Sequence, residues 1–443
     1  MSEAKPHLER NIGLLALTLY GVGDILGSGI YGLVGKAAGE MGSAVWMAFL
    51  VSTVAAGLTG LSYASLGSRY PRAGGAAYMT YRAFNSGFLS YIVGLAALAS
   101  GLTSMAAAAR VFSGYFTGLG VHLPVLVVAI LFTVAVALVV FRGIRESLFA
   151  NGIFTLIEVS GLLIVLAVGA RFLGSVDYLD ATTVANPTGE IGLPLVLTGA
   201  VLTFYSFVGF EDMLNVAEEV KEPRKTLPRG LILSVLISSF IYVSISVVAV
   251  SVIPAPELAV SKQPLVDVVA KAAPWFPTPL FSVIAMFAVS NTALLNFVMG
   301  SRLLYGMSRH GLIPKALNKI HPTRHTPHVA IVVVWVLFVI LVLSGDISSL
   351  GRATSVLLLS CFVIVNLSLV VLQRKEKVSG TFEVPVFVPI LGAIICGALL
   401  TKAQSAELIM AGSILAVILA LYAIMRPKAT AIESMDEMEN EIP

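Results

Sequence analysis

Residues 20–35 read YGVGDILGSGIYGLVG, and six of the fifteen residues from Gly21 to Gly35 are glycine. Glycine inside a helix costs about 1 kcal/mol relative to alanine. A continuous helix through Gly27-Ser28-Gly29 is therefore disfavoured, and the spacing predicts a break there. The surrounding residues are apolar enough for a membrane span. Bilayer hydrocarbon tolerates unpaired backbone only where protein or a polar cavity encloses it, so a break at this depth marks a lined site. The competing reading is plain close packing through Gly23-x-x-x-Gly27 and Gly35-x-x-x-Gly39. The same letters also spell G-x-G-x-x-G from Gly27 to Gly32. No strand precedes them and no βαβ unit surrounds them, so a dinucleotide site is set aside.

A second stretch, Phe204-Tyr205-Ser206-Phe207-Val208-Gly209-Phe210, repeats the pattern and runs directly into Glu211 and Asp212. Packing glycines do not account for a second interruption beside two acids. Paired interruptions in corresponding segments of two halves point to a transporter built as an inverted repeat, with its cargo at the bilayer midplane. Freed N–H groups at a half-helix start attract a carboxylate, and freed carbonyls at a half-helix end attract an ammonium. The expected cargo is a small zwitterion.

Composition agrees. Of 443 residues, 57% are hydrophobic and 12% charged, and the mean hydropathy is +0.92; soluble domains carry about 25% charged residues. A net charge of +3 is too small to argue for nucleic acid. Cys361 and Cys396 sit singly in apolar runs and read as packing residues, not a disulfide or metal pair. His310, His321, His325 and His328 share one loop, but their irregular spacing without cysteine reads as a solvated basic loop and not a metal centre. The first apolar run is too long for a cleaved signal and reads as a retained span.

Apolar windows fall at 11–36, 43–68, 86–115, 122–141, 150–173, 192–219, 231–253, 279–307, 328–344, 349–372, 384–401 and 406–425. A span needs about 20 apolar residues, so this predicts twelve transmembrane helices. Threading them places 21 of the 28 basic residues on the N-terminal side, and only Lys36, Arg110, Arg171, Lys262, Lys271, Arg352 and Lys402 elsewhere. The positive-inside bias makes that side cytoplasmic, with both termini there. The organisation reads as a cytoplasmic N-terminus at 1–10, a first five-helix repeat at 11–173, a second inverted one at 192–372, helices 11 and 12 at 384–425, and a disordered acidic cytoplasmic tail at 426–443. The outward stretches 174–191 and 254–278 and the cytoplasmic stretch 309–327 read as loops.

Three stretches resemble the amino acid–polyamine–organocation superfamily of amino acid permeases: Gly27-Ser28-Gly29-Ile30-Tyr31, the run from Arg69 to Tyr78 (RYPRAGGAAY), and Phe207–Arg229 (FVGFEDMLNVAEEVKEPRKTLPR). The third is the most specific, with Glu222 in place of the usual asparagine before Pro223. The resemblance covers residues 10–425. It implies an all-α membrane protein with 12 transmembrane helices in a five-plus-five inverted repeat of the leucine-transporter (LeuT) type, with helices 1 and 6 discontinuous and two further helices appended. It also implies amino acid or amine transport, with the cargo's amino and carboxyl groups held by backbone at the two breaks. The substrate-binding candidates are Gly27, Ser28, Gly29, Ile30, Phe204, Ser206, Phe207 and Gly209. Phe204 and Phe207 would gate the cargo or pack in the core, and Ala106–Ala109 would leave room for its side chain.

Glu158 stands in the run LIEVSGLLIVL with no basic residue within one turn, and an intramembrane acid is functional by default. It would carry a coupling proton, hold Na⁺ with carbonyls near Gly23 and Leu26, or hydrogen-bond span one. Ser290 and Asn291 are its expected polar neighbours. Asp24 shares that site or caps a half-helix, and Glu211 is a second proton candidate or a brace for the unwound segment. Asp212, Glu218 and Glu219 lie among Lys221, Arg224 and Lys225, an arrangement suited to gate salt bridges. The sequence thus predicts a multi-pass permease of the cell membrane that moves an amino acid by alternating access. The coupling ion is a proton, with Na⁺ coupling or exchange of amino acids or polyamines as alternatives. Its partners are the lipid bilayer and a small-molecule substrate; no nucleic acid and no cofactor are expected. A membrane sensor or intramembrane enzyme would need an output domain or a nucleophile with its base, and the sequence carries neither.

Overall fold

The computed structural model describes residues 12–71, 75–309, 313–324 and 326–425. The expected N-terminus 1–10, the tail 426–443 and, within the motifs above, Arg72, Ala73, Gly74, His310 and His325 lie outside the described residues.

The chain is helical. Its first half holds α1 (Leu14–Ile25), α2 (Ser28–Met41), α3 (Val45–Arg69), α4 (Gly75–Phe84), α5 (Gly87–Gly118), α6 (Val125–Arg142), α7 (Ile144–Gly169) and α8 (Leu193–Phe204). The second half holds α9 (Pro223–Val252), α10 (Ala255–Val260), α11 (Pro264–Ala272), α12 (Thr278–Arg309), α13 (His328–Ser344), α14 (Ile347–Lys375), α15 (Phe387–Leu400) and α16 (Ser405–Met425). Among the described residues the only extended pairing is an isolated bridge between Ile12 and Val220, where Lys221 N–H donates to the Ile12 carbonyl at 2.9 Å.

Nine helical stretches among the described residues are long and apolar enough to cross a bilayer, and Leu14–Ile25, His328–Ser344 and Phe387–Leu400 form shorter apolar helices. The apolar windows thus all become helices, but fewer than twelve are long enough alone. The α1–α2 run is the reason at the N-terminal end, since the break divides its length. Burial sorts the helices: 83% of the apolar window of α5 is enclosed by protein, against 11% of that of α16. The α5 helix packs against α12 and α14, and α3 packs against α9. Outside, Leu15, Ile409 and Ile424 expose more than two thirds of their surface, a pattern suited to lipid contact.

The structure corrects the reading of the connections. Residues 254–278 are not an irregular loop but carry α10 and α11, each opened by a proline in its first turn, where proline's missing N–H costs nothing. The segment after span two forms α4, and α9 starts at Pro223, eight residues before the apolar window, because charged residues can occupy its first turns without interrupting the helix. Of the seven basic residues set apart from the N-terminal-side group, four are bound to protein oxygens. Lys36 donates to the Ala259 carbonyl at 2.8 Å, Arg110 to the Val342 carbonyl and Arg171 to the Ala272 carbonyl. Arg352 pairs with Glu40 and Glu407.

Candidate functional site

The first break falls at Leu26-Gly27. Gly27 adopts φ +127° and ψ −135°, a conformation that residues with a Cβ rarely enter. Each severed end is met by a named group. On the α1 side, the Gly23 carbonyl accepts from Asn291 Nδ2 at 3.2 Å and the Ile25 carbonyl from the Tyr242 hydroxyl at 2.5 Å. On the α2 side, Ser28 N–H donates to Thr292 Oγ1 at 3.2 Å. Gly29 and Ile30 follow in the first turn of α2, where backbone N–H groups have no intrahelical acceptor.

The second break has a different construction. After α8 the chain tightens into a 3₁₀ turn, Tyr205–Phe207, and passes through Gly209 at φ +127°. It then continues as a ten-residue 3₁₀ run, Phe210–Glu219, longer than such runs usually are. Glu211 folds back so that its Oε2 accepts from Gly209 N–H at 3.0 Å. The Ser206 carbonyl accepts from the Tyr242 hydroxyl at 2.6 Å. That one hydroxyl on α9 thus stands between both breaks, its single hydrogen shared between two carbonyls.

The breaks touch. A Cβ on Gly29 would stand 2.4 Å from Ser206 Cα, and one on Gly209 would stand 2.6 Å from the Asp24 carbonyl oxygen. Ser28, Ile30, Ser206 and Phe207 are buried, so the site is closed to solvent in this conformation. Phe204 packs edge-on to Phe362 at 5.9 Å, and Phe207 edge-on to Tyr242 at 5.1 Å. The aromatic side chain that reaches the first break is instead Tyr205. Its hydroxyl lies 2.5 Å from Ser28 Oγ and donates to the Ser104 carbonyl on α5 at 3.2 Å. Sequence reasoning passed over Tyr205 and Tyr242. The available signal was that a buried phenol needs a hydrogen-bond partner, but the partners come from distant helices. Ala106–Ala109 are fully buried against neighbouring helices.

Acids surround the breaks. Glu158 on α7 is fully buried. A Cβ on Gly27 would stand 3.4 Å from its Oε1, and the Asn291 amide stands beside it, yet neither carboxylate oxygen makes a well-formed hydrogen bond. Asp24, in the last turn of α1, is buried with neither oxygen bonded; the carboxyl groups of Asp212, Glu211 and Glu158 are its titratable neighbours. Of the expected polar pair, only Asn291 joins the site. Ser290 donates to the Met286 carbonyl of its own helix at 2.6 Å, because adjacent helical residues point about 100° apart. Lys225 pairs at 3.2 Å with the exposed Glu222, and the side chains of Glu218 and Glu219 lie outside the described residues.

Arg69 and Tyr70, at the head of the second motif stretch, clamp the residues that follow α14. Arg69 meets Glu383 through Nε at 2.6 Å and Nη2 at 3.0 Å, a bidentate geometry that fixes orientation. Tyr70 donates to Glu376 Oε2 at 2.5 Å. Burial, together with that bond, pushes the Tyr70 phenol up to about 12.

An amino acid permease family model matches residues 12–425, the whole of the structure just described. The chain belongs to the amino acid permease family. Its relatives include the branched-chain amino acid permease BcaP of Bacillus subtilis, 29% identical over 83% of this chain and 82% of the relative. Another is the chloroplastic cationic amino acid transporter 9 of Arabidopsis thaliana, 32% identical over 71% of this chain and 58% of that protein. A third, the methylthioribose transporter of Bacillus subtilis, is 26% identical over 88% of this chain and 87% of the relative. These relatives are transporters, not enzymes, and the family places the permease among multi-pass membrane proteins of the amino acid–polyamine–organocation superfamily.

Proposed function

We propose that this permease is a secondary active transporter that moves an amino acid across the cell membrane by alternating access, coupled to a proton. The observation that carries the reading is the direct meeting of two interrupted helices, Gly29 against Ser206, inside a closed polar site. In this reading the cargo carboxylate lies on the N–H groups opening α2, and its ammonium near the carbonyls ending α1 and the 3₁₀ turn at Tyr205–Phe207. Tyr205, with Phe204 and Phe207 behind it, covers the cargo.

Twelve spans follow if α1 with α2 and α8 with the 3₁₀ run each cross the membrane as one broken helix. Residues 11–173 and 192–372 then form two inverted five-helix repeats, α15 and α16 are appended, and the basic residues put both termini in the cytoplasm. Glu158 is the coupling group, facing the first break at Gly27.

The test is uptake into proteoliposomes under an imposed proton or Na⁺ gradient, comparing wild type with Glu158→Gln. Accumulation is expected to follow the inward proton gradient and to be lost in the variant, while equilibrative exchange survives. Accumulation that ignores the proton gradient, with a variant equal to wild type, overturns the coupling assignment.

A further inference from the structure

Arg352 on α14 is a buried cation with partners on three other helices. Its Nη2 meets Glu40 Oε1 near the end of α2, its Nε meets Glu407 Oε1 in the first turn of α16 at 3.3 Å, and its Nη1 donates to the Thr198 carbonyl on α8 at 3.4 Å. The helices α2 and α8 are each a piece of an interrupted helix. By contrast, α16 belongs to neither and packs on α14 and α5. Glu407 is 3% exposed, although only 11% of the apolar window of its helix is enclosed by protein. A carboxylate buried on so open a helix calls for a role. Capping does not supply it: Glu407 Oε2 accepts from Gln404 N–H in its own helix start, which leaves the reach of Oε1 to Arg352 unexplained.

Alternating access moves α2 and α8 against α14. Parting Glu40 from Arg352 exposes the two charges unequally, because the Glu40 side chain is 32% exposed and that of Arg352 only 4%. Water can take over the acid, but the guanidinium would be stranded, and an unpaired buried charge is strongly unfavourable. A second carboxylate that stays with the arginine removes that penalty. The guanidinium fork permits both pairings at once, since Nη2 and Nε offer separate N–H groups.

We infer that Glu407 is a positioning residue of transport: when α2 swings away, Arg352 passes from shared pairing to Glu407 alone, so that α16 lowers the barrier to opening from outside the two repeats. This rests on the alternating-access reading above. The two acids on one arginine then act in opposite senses, Glu40 holding the closed arrangement and Glu407 easing its release. A purely structural ion cluster would loosen whichever acid was removed.

The test is amide hydrogen exchange of peptides from α2 (Ser28–Met41) in the purified full-length protein, comparing wild type with Glu40→Gln and Glu407→Gln. Exchange is expected to be about tenfold faster in Glu40→Gln and about tenfold slower in Glu407→Gln, the size of one charge-assisted contact. Exchange in Glu407→Gln at or above the wild-type rate overturns the inference. If that variant does not fold, Glu407→Asp keeps the charge but withdraws it by one methylene and should slow exchange about threefold; a rate at or above wild type overturns the inference equally. Uptake of a mixture of radiolabelled amino acids by wild-type proteoliposomes tests the transporter reading separately. No uptake overturns that reading, whereas the exchange rates report on the pairing of Arg352 itself.

Discussion

The two breaks reach similar ends by different means. At the first, the severed backbone is met almost wholly by other helices: Asn291 and Thr292 from α12 and Tyr242 from α9. At the second, the chain supplies part of its own support, through a 3₁₀ run and Glu211 bonded two residues back to Gly209. The first break is therefore held by tertiary contacts and should fail when neighbours change; the second is partly local and should tolerate more.

The largest effect is expected where the breaks meet. Gly29→Ala sets a Cβ 2.4 Å from Ser206 Cα, and Gly209→Ala forces both a φ of +127° and a 2.6 Å contact with the Asp24 carbonyl. Backbone on the far side cannot yield as a flexible side chain would, so each variant should lower proteoliposome uptake roughly a hundredfold, equivalent to about 2.7 kcal/mol. Uptake within a few fold of wild type in either variant would mean that the breaks separate freely during transport.

The contrast itself is sharpened by pairing Tyr242→Phe with Glu211→Gln. The first removes the one hydroxyl serving both breaks and leaves buried carbonyls unpaired, a loss of about 1–3 kcal/mol, so uptake should fall by roughly ten- to a hundredfold. Glutamine at 211 keeps an oxygen for Gly209 N–H, so the local brace survives and initial exchange rates should change by no more than a few fold. Equal losses would erase the distinction between a break held by neighbours and one held by itself.

The smallest effect belongs to the Arg69–Tyr70 clamp. The Tyr70 phenol, raised to about 12, favours the neutral form in the folded protein. Its contribution is fully present below pH 10 and is lost as pH rises through about 12. Tyr70→Phe should lower thermal stability by about 1 kcal/mol at pH 7–9, and the difference should close above pH 12 in melting curves. A difference that grew with pH would reverse that sign.

Much of this architecture was legible because hydrophobic length and glycine placement act locally. The interruptions at Gly27 and Gly209 could be read from glycine's helix penalty, and the helical windows from run length. The start of α9 at Pro223 and the helices α10 and α11 were missed because a charged or proline-bearing first turn looks like a loop to hydropathy. Ser290 was grouped with Asn291 by adjacency, although helical geometry turns one to the site and the other away. Tyr205 and Tyr242 carry the cross-connections, yet a tyrosine in an apolar run does not announce which carbonyl it will find.

The amino-acid sequence by itself determined that the chain is helical and membrane-borne and that two of its helices cannot run through, because burial of apolar length and the backbone freedom of glycine are properties of short segments. Only the tertiary structure decided that the two interruptions meet, that Glu158 faces one of them and that Asp24 is left without a partner. Those facts depend on which distant side chains converge, and convergence is set by helix packing, not by any local run of residues.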